Sequence, residues 1–378
     1  MKIGITCYPT YGGSGVVATE LGLELAERGH QIHFISYSQP IRLQGPQPNI
    51  HYHEVEVSRY PLFDYPPYDL ALATRMAEVA ELYDLDLLHV HYAIPHSVSA
   101  MLARQMLAAK PRGRRLPFVT TLHGTDITLV GLDRSYLPIT RFSIQQSDGV
   151  TAISNYLRDR TLREFDITNH IEVIYNFVNC DTYCRDEGAA ERRAEYARPD
   201  EKVLVHLSNF RPVKRVTDVI EIFHRVHKKL PSKLLLIGDG PDRSQAEWLA
   251  VQKGIHDDVI FLGKQDRVNE KIAVADIMLL PSQLESFGLA ALEAMASKVV
   301  PIATNVGGLP EVVEHGKSGF LAEVGDVETM SRYAIELLSD KSKLNEMARA
   351  ARAGAQARFC TSKIIPQYEE FYRRVLAS

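Results

Sequence analysis

The chain has 378 residues, 45% apolar and 24% charged, with a formal net charge of −4. That is the length of two ordinary domains and the composition of a globular protein, without the positive excess that nucleic acid demands. No apolar run could span a bilayer, and the opening "MKIGITCYPT" reads as a first strand rather than a signal peptide. The expected location is therefore the cytoplasm, with Cys7, Cys180, Cys184 and Cys360 as reduced thiols.

Short apolar strands alternate with amphipathic helices. The strand "KIGIT" runs into a loop with Gly12, Gly13, Ser14 and Gly15. A helix follows over "VVATELGLELAERG", where Val17, Leu21 and Leu25 share one face and Gly29 ends it. Glycines ahead of a helix let backbone N–H groups reach an anion. Gly13-x-Gly15-x-x-Ala18 also matches a dinucleotide fingerprint. The end of the second strand, "FISYSQP", carries no acid for a ribose, however, and no Gly-Lys-Ser/Thr makes a P-loop. "QIHFIS", "DLLHVH", "PFVTTL" and "GVTAIS" are nearly continuous apolar strands, as in a parallel sheet covered on both faces. Around 176–201 the chain turns polar and charged, as a connector does. The alternation restarts with "KVLVHLS", "KLLLIG", "VIFLG", "DIMLLPS" and "VVPIAT", and a last helix covers "SKIIPQYEEFYRRVLAS". This pattern predicts an α/β protein of two Rossmann-like domains facing across a cleft.

Ligands in open α/β sheets bind beyond the carboxyl ends of the strands. Tyr92 follows "DLLHVH", His123 follows "PFVTTL", and Asn155 follows "GVTAIS". In the second half, Arg211 and Lys214 lie three apart in a loop that opens a helix. Cations so placed suit a diphosphate, with surface charge ahead of a helix as the alternative. Gly238 and Gly240 flank Asp239 at the next strand end, and Gly263 closes another. After "IMLLPS" comes "ESFGLAALE", with Glu285 in a loop, Ser286, Phe287, Gly288 and Leu289 near a helix start, and Glu293 about two turns inside. Backbone N–H groups at such a start favour a diphosphate. Carboxylates suit vicinal hydroxyls because each offers two acceptor oxygens. The Cys180–Cys184 pair lacks the second pair of a zinc site. Asp84-Leu-Asp86 matches the DxD of metal-dependent transferases at a frequency expected by chance.

Together these motifs resemble the retaining GT-B glycosyltransferases of family 4. The E-x7-E element is Glu285 to Glu293, the basic pair is Arg211 and Lys214, and the "GDGP" turn and glycine loop also match. Many members carry Gly-Arg five residues before the loop lysine; here Asn209 stands there and the arginine is Arg211. The resemblance covers nearly the whole chain. It implies a first domain over 1–168, onto which 361–378 packs back, and a second domain over 169–360 that holds the donor. "CYPTYGGSGVVATELG", "HVHYAIPH", "TLHGTDITLVG" and "NFRPVKRV" resemble members that move N-acetylglucosamine from UDP-GlcNAc to the hydroxyl of L-malate, the first step of bacillithiol synthesis.

On that resemblance His123, Arg211, Lys214 and Glu285 are the catalytic set. Gly13, Gly15, Gly238, Gly263, Ser286, Phe287, Gly288, Leu289 and Glu293 would bind the donor, and Ser14, Tyr92, Thr121 and Asn155 the acceptor. Asp126 is the one candidate for a nucleophile on the first domain, although the family reading prefers front-face attack. No metal or other cofactor, no nucleic acid and no membrane are expected, and homodimers occur in the family. Three alternatives stay open: a family 4 transferase with another acceptor, a nicotinamide oxidoreductase using the Gly13 loop, and a non-catalytic sugar-nucleotide binder.

Overall fold

The computed structural model describes residues 1–10, 12–43, 45, 47–58, 61–62, 64–111 and 113–378. The chain divides into two compact units, residues 1–175 with 364–378, and residues 176–363.

The first unit is built on one parallel sheet of seven strands: β1 (Lys2–Thr6), β2 (Gln31–Ser36), β3 (Ile50–Glu54), β4 (Leu87–His91), β5 (Phe118–Leu122), β6 (Gly149–Ala152) and β7 (Ile171–Val173). Their order is β3-β2-β1-β4-β5-β6-β7. β4 and β5 are buried at every position, as their unbroken apolar runs predict. Short β3, "IHYHE", escaped the sequence pattern because an edge strand with histidines at alternate positions shows no apolar period. β7 pairs with β6, so the unit boundary lies beyond it, at 175/176.

The second unit has six parallel strands: β8 (Lys202–Leu207), β9 (Ser232–Ile237), β10 (Val259–Gly263), β11 (Ile277–Leu280), β12 (Val300–Thr304) and β13 (Phe320–Ala322). Their order is β10-β9-β8-β11-β12-β13. The helix Val216–His227 covers this sheet with Val216, Val219, Ile220, Phe223 and Val226, the spacing of one helical face. In each unit the strand order reverses once, between β1 and β4 and between β8 and β11. Loops diverge at such a reversal and leave a crevice there.

The last helix, Thr361–Ala377, buries Ile364, Ile365, Tyr368, Phe371 and Tyr372 in the first unit. Its fit needs a glycine opposite: a Cβ on Gly149 would stand 2.6 Å from Phe371 Cζ. The Tyr372 hydroxyl lies 2.7 Å from His89 Nδ1, and Glu369 lies 2.9 Å from His30 Nε2.

Several motifs resolve as structure. Asp84 ends the helix Tyr68–Tyr83 in a left-handed conformation, and Asp86 accepts the Lys2 N–H at 2.7 Å. In the basic run, Arg114 donates to the carbonyls of Leu85 and Ala80, and Arg115 pairs with Asp148; Arg112 lies outside the described residues. Cys180 lies against Cys360 rather than Cys184, with Cα atoms 5.7 Å apart. Cys7 and Cys184 stand apart from that pair. Among the described residues no helix is long and apolar enough to cross a membrane.

Candidate functional site

On the first unit, the loops after β1, β4, β5 and β6 carry the predicted residues. Gly15 lets the helix Gly13–Glu27 start hard against the β1 loop, since a Cβ there would lie 2.4 Å from the Tyr8 carbonyl oxygen. That start places Ser14 Oγ 2.7 Å from the Tyr92 hydroxyl. Tyr92 leaves β4 at φ +89°, its N–H donating to the Thr121 carbonyl at 2.9 Å. Its ring centroid is 5.3 Å from that of His123. Asn155 begins the helix Asn155–Phe165, capped by the Ser154 hydroxyl, and donates to the Tyr175 hydroxyl at 2.6 Å.

His123 is only 8% exposed and shares a 2.8 Å hydrogen bond with His91 Nδ1. Burial pushes its pKa down to about 3, helped by nearby His96. The ring is therefore neutral at neutral pH, a hydrogen-bonding group rather than a cation. His96 Nδ1 donates in turn to the His91 carbonyl at 2.6 Å.

Asp126 is corrected as a candidate nucleophile. Its carboxylate is 2% exposed and accepts three backbone N–H groups, from Gly124 at 2.9 Å and His123 at 3.3 Å on Oδ1 and from Ala93 at 2.9 Å on Oδ2. Burial raises its pKa while these donors pull it down. The group ties the β4 and β5 loops together. Thr121 is likewise set apart from the other acceptor candidates. Its side chain is fully buried, and its hydroxyl lies 2.7 Å from both His89 Nε2 and Thr151 Oγ1.

On the second unit, Lys214 closes the short turn Pro212–Lys214 after β8. The Gln283 N–H donates to the Val213 carbonyl at 2.8 Å, which fastens the β11 loop to this turn. Lys214 Nζ thereby reaches Glu285 Oε2 at 2.6 Å. Arg211 is exposed at the start of the same turn. Beneath it His206 is fully buried, donates to the Leu279 carbonyl at 2.8 Å, and has its pKa pushed down to about 4, mainly by burial. Gly238 ends β9 at φ +114°, where a Cβ would stand 1.8 Å from the Ser208 carbonyl oxygen, so only glycine fits. Its N–H donates to the Gly263 carbonyl at 2.8 Å.

The stretch "ESFGLAALE" departs from expectation in one way. The helix runs Leu289–Ala296, preceded by Gly288 at φ +102°, so Glu293 sits one turn inside rather than two. The ring of Phe287 is buried against Phe359, with ring centroids 5.6 Å apart, while its backbone lies just ahead of the helix start. Ser286 is half-buried before it, and Leu289 opens the helix. Glu293 is 5% exposed and accepts a hydrogen bond from the Tyr183 hydroxyl at 2.7 Å. Sequence reasoning missed Tyr183, whose one signal is an aromatic inside an otherwise polar connector. Among the described residues no group of three or more His, Cys, Asp or Glu is arranged to hold a metal ion.

The stretches of chain that carry these residues match known family models. The profile "Glycosyltransferase Family 4" matches residues 11–182, and "Glycosyl transferases group 1" matches residues 189–354. The chain is 50% identical over 376 residues to N-acetyl-alpha-D-glucosaminyl L-malate synthase of Bacillus anthracis, covering 100% of this chain and 97% of the relative. Among solved structures, HepE of Anabaena in complex with UDP-glucose superposes with a TM-score of 0.84 at 21% identity, covering 99% of this chain and all of that one. Sucrose-phosphate synthase of Thermosynechococcus elongatus superposes with a TM-score of 0.80 at 20% identity, covering 100% and 99% of the two chains. At such identities the likeness is one of fold.

Proposed function

Because this chain belongs to the group 1, family 4 glycosyltransferases and has their GT-B fold of two Rossmann-like units, we propose that it moves N-acetylglucosamine from UDP-GlcNAc to the hydroxyl of L-malate with retention at the anomeric carbon. The observation that carries the substrates is the 50% identity to the malate synthase over the full chain. In this reading the protein acts in the cytoplasm, at the first step of bacillithiol synthesis, without a metal.

The chemistry divides between the units. Departure of UDP builds negative charge on the diphosphate. Lys214, Arg211 and the backbone N–H groups at Gly288 and Leu289 stabilise it, and a preorganised charge acts most strongly where charge develops. Gly13 and Gly15 offer backbone donors on the first unit. Gly238 and Gly263 keep the β9 and β10 ends free of side chains beside the donor. Glu285 pairs with Lys214 in the structure and turns to the sugar hydroxyls when the diphosphate engages that lysine. Glu293 accepts from the ribose hydroxyls.

Retention follows from attack on the face that UDP leaves. Malate's hydroxyl adds to the anomeric carbon as the C–O bond to UDP breaks, and the departing phosphate oxygen takes the hydroxyl proton. Asp126 is no nucleophile, since its oxygens are held by three amides. Neutral His123 hydrogen-bonds the sugar. Ser14, Tyr92 and Asn155 supply donors for malate's carboxylates; Thr121 serves behind them, through its carbonyl bond to Tyr92.

The test is UDP release from UDP-GlcNAc with L-malate, glycerol 3-phosphate or inositol phosphate as acceptor. Stimulation by malate alone is expected. Stimulation by another acceptor instead would keep the donor assignment and discard the acceptor one.

A further inference from the structure

A tyrosine buried in a charged connector needs a reason. Tyr183 is 3% exposed, although the segment around it is polar, and its hydroxyl donates to Glu293 Oε1 at 2.7 Å. The turn that carries it is closed by its own groups. Asn179 Oδ1 accepts the N–H groups of Asp181 at 3.0 Å and Thr182 at 3.2 Å, and the Tyr183 N–H donates to the Asn179 carbonyl at 2.9 Å. Arg352, on the helix Lys341–Arg358, then fastens this turn to the helix that bears Glu293. Its guanidinium donates to the Cys180 carbonyl at 2.8 Å and to the carbonyls of Tyr183 and Ala296, the last being the end of the helix Leu289–Ala296. Phenol and carboxylate are thus mounted on one rigid assembly.

We infer that Tyr183 is a positioning residue for donor binding: it holds the Glu293 carboxylate in the orientation that receives the ribose diol. The inference rests on the reading of Glu293 as the ribose acceptor. A glutamate side chain has three rotatable bonds, and a diol is gripped well only when both carboxylate oxygens are aimed at it. A phenol fixed on Oε1 sets the carboxylate plane. A carboxylate oxygen has two lone pairs, so accepting from a phenol does not bar it from accepting from a hydroxyl as well. The same bond gives a carboxylate that is 5% exposed a hydrogen-bond partner before the nucleotide arrives.

The experiment measures the affinities of UDP and 2′,3′-dideoxy-UDP by calorimetry for the whole protein and for Tyr183→Phe, Glu293→Gln and the double variant. The wild type is expected to prefer UDP by roughly 30-fold, the scale of hydrogen bonds to a charged group. In Tyr183→Phe the preference should fall to about threefold with kcat at saturating donor little changed, and the double variant should match Glu293→Gln. A wild type that does not distinguish the two nucleotides would overturn the ribose reading of Glu293 itself. A wild type that distinguishes them, with Tyr183→Phe distinguishing them equally, would overturn the positioning role alone. So would a loss of UDP affinity from Tyr183→Phe that persists undiminished in the Glu293→Gln background, since the phenol would then act by another route. That cycle is read even if Tyr183→Phe lowers the melting temperature, because each affinity is measured on folded protein.

Discussion

At Lys214 one side chain has two partners to serve in turn. Its ammonium lies 2.6 Å from Glu285, and both side chains are about one-fifth exposed. A single ion pair that solvent still reaches contributes on the order of 0–1 kcal/mol, so the pair is not there to hold the fold. Its use is electrostatic: an ammonium fixed at the end of β8 meets the diphosphate as charge grows on it. Lys214→Ala should therefore lower kcat/KM by about 10³-fold, the scale of one preorganised charge donor, while the melting temperature moves by no more than a few degrees. Steady-state kinetics and a thermal melt check both halves, and near-normal turnover would sink the assignment. Phe287 makes the opposite point. It stands inside the motif, yet its ring packs on Phe359, 72 residues along the chain, where no local pattern could foretell it.

At the scale of elements, function depends on loops held in register by groups that touch no ligand. Asp126 bonds the first residues of two loops at once, Ala93 after β4 and Gly124 after β5. An asparagine keeps one acceptor oxygen and presents an NH2 to the other donor, so Asp126→Asn sets two donors face to face. The expected cost is about 1–3 kcal/mol of stability, with a roughly tenfold rise in KM for malate as Tyr92 and His123 lose their mutual register. UDP affinity should change far less, because the proposed nucleotide contacts lie on the second unit and in the β1 loop, not in the β4 and β5 loops that Asp126 ties. Unchanged malate kinetics in a variant of normal stability would remove the loop-tie role. The elements themselves were largely legible, because buried parallel strands are apolar throughout and Gly15 and Gly29 punctuate the helix between β1 and β2. What stayed hidden was set by tertiary contact. β3 reads as a polar segment until it pairs at an edge, Asp126 reads as a free acid until its three amides are seen, and Tyr183 reads as part of a linker until Arg352 fastens its turn to the Glu293 helix.

Across the whole molecule, histidine is distributed unevenly. In the first unit burial pushes His33, His53 and His96 to about 4, His89 and His123 to about 3, and His91 well below its ordinary value. The second unit has His206 at about 4 and His224 shifted down. A histidine with a depressed folded pKa binds its proton first in the unfolded chain. Its contribution to stability is thus full above the unfolded value near 6.5 and is lost as pH falls toward the folded value. Each of the three completely buried rings, His89, His91 and His96, and the nearly buried His123 can remove at most ~1.4 kcal/mol per pH unit in that window. Asp126 opposes them with a single raised carboxyl, and the lowered Glu314 and Asp326 of the second unit lose their contribution only as pH falls through the carboxylate range. Between pH 6.5 and 5 the first unit should therefore lose more of its stability than the second. Amide hydrogen exchange at pH 7.5 and 5.0, corrected for intrinsic rates, reads this directly. Protection in β4, β5 and β6 should fall before protection in β8, β11 and β12. Equal loss in both sheets, or earlier loss in the second, would show that the histidine face of the first unit does not govern its acid stability.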